Sequence, residues 1–393
     1  MAHPAALAAT QRRVASGLTA NKALRVVHDK ADTALVSDTS PQVLRSLFLH
    51  APIRRGPRVV LERMLELVDA DTPPDGPDGP MAVLERRIAG LLGKEAALFF
   101  PSGTMAQQAA LRVHAERSGR RGFAAHPHCH LDRWEMQGYN AVHGLWFHRA
   151  GDPNELMTAV DLRAVGEPLA AVLWELPQRD LGGLLPEWDA LEEQVAVARA
   201  GGAAPHLDGA RLWEAQTYYR RPLDQIAGIF DTVYVSLYKG LQGTRGAVLA
   251  GDAATVAAAG VWRARLGGAI PDAWPLALTA LAGLDTIPPR MPAFRDHALA
   301  IAAAINADGA ARTCPEPPQT PLFHVHLPAP ARAVERAGAA ILAESGVQLF
   351  PRIRTLPDPR QCAFEITVGE NAMDFTPDEV VALVRELLDR AAA

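Results

Sequence analysis

The sequence predicts an α/β fold with two domains: a large one built on a mostly parallel, seven-stranded sheet and a small C-terminal one. The first observation is that short apolar runs alternate with helical patterns through the middle of the chain, which is typical of parallel strands covered on both faces. The second is length, because 393 residues can supply two hydrophobic cores. The third is a hydrophobic fraction of 49%, which excludes a disordered chain.

Each element follows from the pattern in chain order. Residues 1–60 are expected to form an N-terminal extension that is helical over 1–50. Helices are predicted at 61–68 and 81–92, on either side of a loop rich in Pro and Gly. Apolar runs then predict the strands of the sheet, at 96–100, 121–126, 144–148, 170–175, 203–207, 232–237 and 245–250. The clearest helices between them are predicted at 104–117 and 187–200.

The last hundred residues predict the small domain. The large domain is expected to span 61–285 and the small one 286–393. Within the small domain, the pattern predicts strands at 322–328, 346–350 and 361–368, and helices at 330–345 and 377–391.

Charge and cysteine content exclude several classes of partner. A net charge of −5 argues against nucleic acid and other polyanions. Cys129, Cys314 and Cys362 are scattered, which indicates a reducing compartment. No stretch reaches the roughly 18 apolar residues needed to cross a bilayer, and the N-terminus lacks the apolar core of a signal peptide. We expect a soluble cytoplasmic protein with no nucleic-acid or membrane partner.

Two residues at predicted strand ends suggest a cofactor. Lys239 follows an apolar run in Ser-Leu-Tyr-Lys-Gly, and Asp208 ends the preceding apolar run. A lysine amine can form a Schiff base with the aldehyde of pyridoxal phosphate (PLP), and a carboxylate can keep the pyridine nitrogen of PLP protonated. Either residue alone is ordinary, as a loop lysine or a turn-forming aspartate. Together, at neighbouring strand ends, they predict PLP.

A strand, a turn of small residues and a helix over residues 99–107 predict a phosphate site. Exposed amides at the helix start around Ser102 and Gly103, with the Thr104 hydroxyl, would hold a phosphate. The alternative is an ordinary N-cap, in which Ser102 or Thr104 only begins the helix.

Three segments together resemble the threonine aldolase and β-eliminating lyase family of fold-type I (aspartate aminotransferase-like) PLP enzymes. They read LLGKEAALFFPSGTMA at 91–106, LDGARLW at 207–213 and SLYKGL at 236–241. The resemblance implies that Gly103 and Thr104 hold the phosphate, and that Asp208 and Lys239 have the roles given above. It also implies that Arg211 holds the substrate carboxylate, for which its planar fork is suited. A surface arginine after a turn is the alternative for Arg211.

The same family stacks an aromatic ring, often histidine, on the outer face of the cofactor, and His130 occupies the matching place. A ring there would shield the cofactor from water. Two other interpretations compete: a structural histidine, or a zinc site made by His126, His128, Cys129 and His130. Because Pro127 interrupts the strand that would align these side chains, we predict no metal.

The substrate half departs from the family pattern. Gln178 stands where threonine aldolases have a histidine, and a glutamine can hold a hydroxyl but cannot exchange protons near pH 7. In that case another base or a phosphate-bridged water removes the proton of the β-hydroxyl, or the reaction is a different one. Phe364 stands where a second carboxylate-binding arginine is expected, and Arg352, Arg354 or Arg360 could substitute.

The resemblance implies cleavage of a β-hydroxy-α-amino acid to glycine and an aldehyde, with Lys239, Asp208, His130 and Gln178 as the catalytic set. β-Elimination or another reaction through a Cα carbanion is the alternative, since it uses the same cofactor residues. A non-catalytic PLP-binding protein is a further alternative, against which the intact cofactor residues argue. Two subunits usually build each site in this fold, so we expect a homodimer or homotetramer.

Overall fold

The structure is a computed structural model that describes residues 41–393. Its strands are β1 (Arg45–Ser46), β2 (Ala96–Phe100), β3 (Gly122–Ala125), β4 (Trp146–Arg149), β5 (Leu169–Glu175), β6 (Ala204–Gly209), β7 (Thr232–Ser236), β8 (Ala247–Gly251), β9 (Arg312–Cys314), β10 (Leu322–Leu327), β11 (Val347–Gln348), β12 (Arg354–Thr355) and β13 (Cys362–Thr367).

Its helices are α1 (Pro57–Leu65), α2 (Pro80–Leu91), α3 (Gly103–Ser118), α4 (His130–Arg133), α5 (Gly138–Ala141), α6 (Ala159–Ala164), α7 (Trp188–Ala200), α8 (Leu212–Tyr219), α9 (Leu223–Gly228), α10 (Ala253–Arg265), α11 (Trp274–Thr286), α12 (Met291–Asp308), α13 (Ala331–Ser345) and α14 (Pro377–Ala392). Among residues 41–393, no helix has both the length and the apolar character that a membrane crossing requires.

Seven strands form the large sheet in the order β2-β8-β7-β6-β5-β3-β4. Strand β8 is antiparallel to both of its neighbours, and the remaining pairs are parallel, so the predicted seven-stranded, mostly parallel sheet is confirmed. Strand β7 is buried along its whole length, as expected for a strand covered on both faces. Parallel pairing brings the carboxyl ends of β5, β6 and β7 to one edge, where Glu175 is in register with Asp208.

A second, antiparallel sheet has the order β12-β13-β10-β9. Strands β10 and β13 pair along six residues each. The sequence predicted β10, β13 and the helices α13 and α14. It did not predict β9 or β12, which have three and two residues and are too short to show a periodic pattern.

The segment before helix α1 corrects one expectation. Residues 1–40 of the predicted helical extension lie outside the described residues, and residues 41–50 form strand β1 and turns instead of a helix. The amides of Leu44 and Leu47 bond to the carbonyls of Gly346 and Gln348, so this segment satisfies its backbone by pairing with β11. Further along, Arg55 donates to the carbonyl of Tyr238 at 2.6 Å, next to Lys239.

Candidate active site

A cavity of about 230 Å³ opens at the edge of the large sheet where its parallel strands end. Six of the residues singled out from the sequence line this cavity together, namely Ser102, Gly103, Thr104, His130, Asp208 and Lys239. Arg211 and Gln178 do not line it and lie on the side toward the small sheet, as their contacts with Glu365 and with the loop after β5 indicate.

Asp208 provides a buried negative charge to this cavity. It is the penultimate residue of β6 and is 2% exposed. Its Oδ1 accepts a hydrogen bond from the amide of Ala210 at 3.0 Å, which fixes the carboxylate by a contact within its own turn. A buried carboxylate is stable only with a cationic or hydrogen-bonding partner, so the cavity is suited to a protonated ring nitrogen.

Lys239 faces the same cavity three residues after β7 ends. Its amide bonds to the Ser236 hydroxyl at 3.3 Å, which holds the turn that presents it. Burial and the guanidinium of Arg211 lower the pKa of the Lys239 amine to about 8. A fraction of this amine is therefore neutral near pH 8, which is the form that attacks a carbonyl.

The start of helix α3 forms a third wall. Ser102 is the N-cap and its Oγ accepts a hydrogen bond from the amide of Met105 at 3.2 Å, so the N-cap interpretation describes this side chain. The remaining amides at this helix start, with Thr104 and the nearby Arg245, leave a site for an anion. A Cβ atom on Gly103 would overlap the Tyr234 hydroxyl, so glycine is required there.

His130 lines the cavity in one fixed orientation. Its Nδ1 lies 2.9 Å from Oε1 of Glu135, and Oε2 of Glu135 accepts a hydrogen bond from Gln108 at 3.2 Å. The sequence analysis missed Glu135, although an acidic residue five positions after the histidine was visible. Because the ring is held by a buried carboxylate, it forms a defined wall.

The donors and acceptors of this cavity fit PLP. Lys239 would offer an amine to the aldehyde, Asp208 a carboxylate to the ring nitrogen, and the start of α3 amides to the phosphate. These are three different chemical requirements of one molecule, and they converge on a single cavity.

The loop after β5 forms the side toward the small sheet. Gln178 is 3% exposed, and its Nε2 lies 3.4 Å from both the His128 carbonyl and Oε2 of Glu175. Burial and the neighbouring Asp208 carboxylate raise the pKa of Glu175 to about 7. Glu175 is the last residue of the strand predicted at 170–175, and a carboxyl group with this pKa can exchange protons near neutral pH.

Arg211 is buried, so the surface-arginine alternative is wrong. It is 5% exposed, and its Nε has no hydrogen-bond partner among the described residues. Its nearest acidic oxygens belong to Glu214, at 3.6 Å, and Glu365, at 3.7 Å, both beyond hydrogen-bonding distance. A buried guanidinium with unfilled donors is suited to binding a carboxylate.

Phe364 is not part of this site. It is fully buried and its ring lies 5.2 Å from the ring of Phe350, in the core of the small sheet. Side chains alternate along a strand, so its neighbour Glu365 faces Arg179 and Arg211. Residue 364 was expected to mark the position of the missing arginine. The side chain that faces the site on this strand is instead that of Glu365.

The arginines proposed as substitutes have other contacts. Arg354 donates to Asp180 at 2.6 Å, Arg360 pairs with its neighbour Asp358, and the guanidinium of Arg352 lies 4.4 Å from the Trp134 ring. The residue that the sequence analysis missed is Arg179, whose Nε donates to Oε2 of Glu365 at 2.7 Å.

Comparison with known proteins gives consistent matches. The beta-eliminating lyase family model matches residues 56–329. A provisionally assigned L-allo-threonine aldolase from Listeria monocytogenes EGD-E is 33% identical, with 89% of this chain and 97% of that chain covered and a TM-score of 0.82.

Two further relatives agree with these matches. A provisionally assigned aromatic amino acid beta-eliminating lyase/threonine aldolase from Exiguobacterium sp. 255-15 is 32% identical, covering 89% of this chain and 98% of that chain, with a TM-score of 0.81. Low-specificity L-threonine aldolase 1 from Arabidopsis thaliana is 27% identical over 67% of this chain and 76% of its own length.

Proposed function

The chain belongs to the beta-eliminating lyase family of PLP-dependent enzymes, and we propose that it cleaves a β-hydroxy-α-amino acid to glycine and an aldehyde. The observation that carries this proposal is the shared cavity of Lys239 and Asp208, with the unsatisfied, buried Arg211 beside it. The similarity to L-threonine aldolases supports carbon–carbon bond cleavage as the reaction.

The cofactor would be held by residues of the large sheet. Lys239 would bind its aldehyde, Asp208 its ring nitrogen, and the start of α3 with Thr104 its phosphate. When bound, PLP withdraws electrons from the Cα of the amino acid, so that a bond at Cα can break.

The residues around the cavity have separate tasks. Arg211 would hold the α-carboxylate and so fix which bond at Cα faces the cofactor. Lys239, with its pKa lowered to about 8, can give and take a proton at Nζ during turnover. His130, fixed by Glu135, would cover the outer face of the cofactor and keep water away from Cα.

Gln178 is not suited to removing the proton of the β-hydroxyl. Its amide can orient a hydroxyl by hydrogen bonding but cannot accept the proton. The carboxyl of Glu175 lies beside it, with Oε2 3.4 Å from the amide nitrogen of Gln178, and has a pKa raised to about 7. We therefore assign proton exchange on this side to Glu175, with Gln178 as the residue that orients the hydroxyl.

β-Elimination is a second candidate because of Gln178. A leaving group that departs from Cβ with its electron pair does not need a base at the position of Gln178. An altered residue at that position is therefore compatible with elimination as well as with a modified aldolase.

A product assay tests the choice. The purified holoenzyme is incubated with L-threonine, L-allo-threonine and a β-aryl serine, and glycine and aldehyde are measured by chromatography. Equal amounts of glycine and aldehyde from at least one substrate support the proposal. Ammonia and a 2-oxo acid, without glycine, would establish elimination instead.

We also propose a homodimer or homotetramer and two domains, 61–285 and 286–393. Exposed apolar side chains on helix α1, such as Leu61 at 65% and Leu65 at 74% exposure, support burial against another subunit. The two separate sheets support the domain division. Mass photometry of the purified protein tests the assembly.

A further inference from the structure

Two arginines approach a single carboxylate beside the cavity. Arg179 lies on the loop after β5, Arg211 follows β6, and Glu365 lies on β13. Nε of Arg179 is 2.7 Å from Oε2 of Glu365, and Nη2 of Arg211 is 3.7 Å from Oε1. All three side chains are at most 14% exposed. Glu365 therefore stands where both guanidinium groups can be reached by one carboxylate.

The charges of this cluster do not balance. The two guanidinium groups hold the pKa of Glu365 well below its usual range, so that Glu365 is ionised. Burial raises the pKa of the adjacent Glu214 to about 7, so that below this pH it is mainly neutral. Among Arg179, Arg211, Glu365 and Glu214, two positive charges then stand against one negative charge below about pH 7, and the net charge of +1 is the complement of one added carboxylate.

The hydrogen bonds leave room for that carboxylate. The guanidinium of Arg211 makes no hydrogen bond with any described residue, and that of Arg179 uses only its Nε in a side-chain hydrogen bond within residues 41–393. Buried guanidinium groups usually fill most of their donors. Both arginines therefore keep guanidinium donors that no described residue fills.

We propose that Arg179 is a second binding residue for the α-carboxylate of the substrate, acting with Arg211, and that Glu365 competes with the substrate for both. The large domain would then supply the second arginine that the strand around Phe364 lacks. This inference rests on the proposed function only in requiring that an amino acid binds. It does not depend on which bond breaks.

A purely structural role is the alternative, since Arg179 and Glu365 also connect the loop after β5 to the small sheet. The neighbouring residue offers a matched control. Asp180, on the same loop, accepts a hydrogen bond from Arg354 of β12 at 2.6 Å. This second pair makes the same connection between loop and sheet, and among the described residues Arg354 forms no ion pair with Glu365.

The experiment titrates holoenzyme with glycine and, separately, with methylamine, and follows the visible spectrum of the bound cofactor. Glycine carries the carboxylate and methylamine does not, so the ratio of their dissociation constants isolates carboxylate binding. We expect Arg179→Gln to weaken glycine binding on the order of tenfold or more. Glu365→Gln should strengthen it several-fold, and Arg354→Gln should leave it unchanged. Methylamine binding should be the same in every variant.

Opposite results separate the explanations. Weaker glycine binding in Glu365→Gln, or equal losses in Arg179→Gln and Arg354→Gln, would assign the ion pair to structure alone. An unchanged glycine affinity in Arg179→Gln would overturn the inference and leave the proposed function standing. A wild-type spectrum that responds to no amino acid would instead remove the proposed function. Methylamine binding shows that each variant is folded and loaded.

Discussion

The cofactor side of the site is built within one sheet, whereas the substrate side joins two. Asp208, Lys239 and His130 are each held by a residue at most five positions away in the chain. Arg179 follows a strand of the large sheet, and Glu365, 186 positions away, lies on a strand of the small sheet. Contacts within one sheet keep the cofactor geometry fixed, and contacts between sheets can change without disturbing it. Substrate preference can therefore diverge while cofactor chemistry is retained.

The two sides also differ in how their charges are satisfied. On the substrate side, Glu365 is ionised between two arginines, while burial raises the pKa of Glu214, beside the same Arg211, to about 7. Neither oxygen of Glu214 has a hydrogen-bond partner among the described residues. Glu214 thus remains an unsatisfied group, which is costly for stability and common where a ligand completes a site.

The largest effect is expected at Lys239, on the cofactor side. Lys239→Ala should abolish the visible absorption of the holoenzyme and lower turnover by ~10³-fold or more, because no other group can carry the cofactor and exchange the proton. Reduction of the wild type with borohydride, followed by peptide mapping, should label Lys239.

The chain has only four lysines, so this mapping is decisive. Lys94, which donates to the Phe230 carbonyl at 2.6 Å, serves as the control, and Lys94→Ala should keep the visible absorption. A label on Lys22, Lys30 or Lys94 would contradict the assignment of Lys239 as the lysine that binds the cofactor.

Variants of Asp208 and Glu175 compare the two sides at neighbouring positions, because these residues are in register on adjacent strands. Asp208→Asn should retain bound PLP but lower turnover by ~10²–10³-fold, because an amide cannot keep the ring nitrogen protonated. It should equally slow exchange of the glycine Cα proton with deuterated water, measured by NMR.

Glu175→Gln should lower cleavage of a β-hydroxy amino acid by roughly 10²-fold and leave glycine proton exchange near wild type, because glycine has no hydroxyl to deprotonate. Equal losses of both reactions in this variant would show that Glu175 belongs to the cofactor side.

We expect Glu214, on the substrate side, to make the stability of the protein depend on pH. Its folded pKa is raised, so its contribution to stability is present at low pH and is lost as the pH rises through about 7. Glu214→Gln should then be more stable than wild type by up to ~3 kcal/mol at pH 8.5 and by less at pH 5.5. Urea unfolding at both pH values measures this, and a difference that grows toward low pH would contradict it.

The contrast between the sides explains which features could be predicted. The seven-stranded sheet and the positions of Asp208 and Lys239 follow from local patterns, because apolar runs end at Asp208 or just before Lys239, whereas His130 was expected from the family resemblance. Glu365 could not be found in this way, because its role depends on a contact with Arg179 across the two sheets. Phe364 was expected to mark the position of the second arginine, because a linear pattern gives the neighbourhood of a residue and not the face of the strand on which it lies.

Gln178 is the position where the smallest effect is expected. If the chain were a threonine aldolase with only its base removed, Gln178→His should raise threonine cleavage by ~10²-fold. The structure argues otherwise, because this side chain is 3% exposed and lies between the His128 carbonyl and Glu175. Because we assign proton exchange on this side to Glu175, a new imidazole would add little to it. We expect weak activity of the wild type on threonine and less than about a threefold gain in the variant, with glycine proton exchange unchanged. Threonine turnover by the wild type on the order of 10 per second would restore an ordinary aldolase.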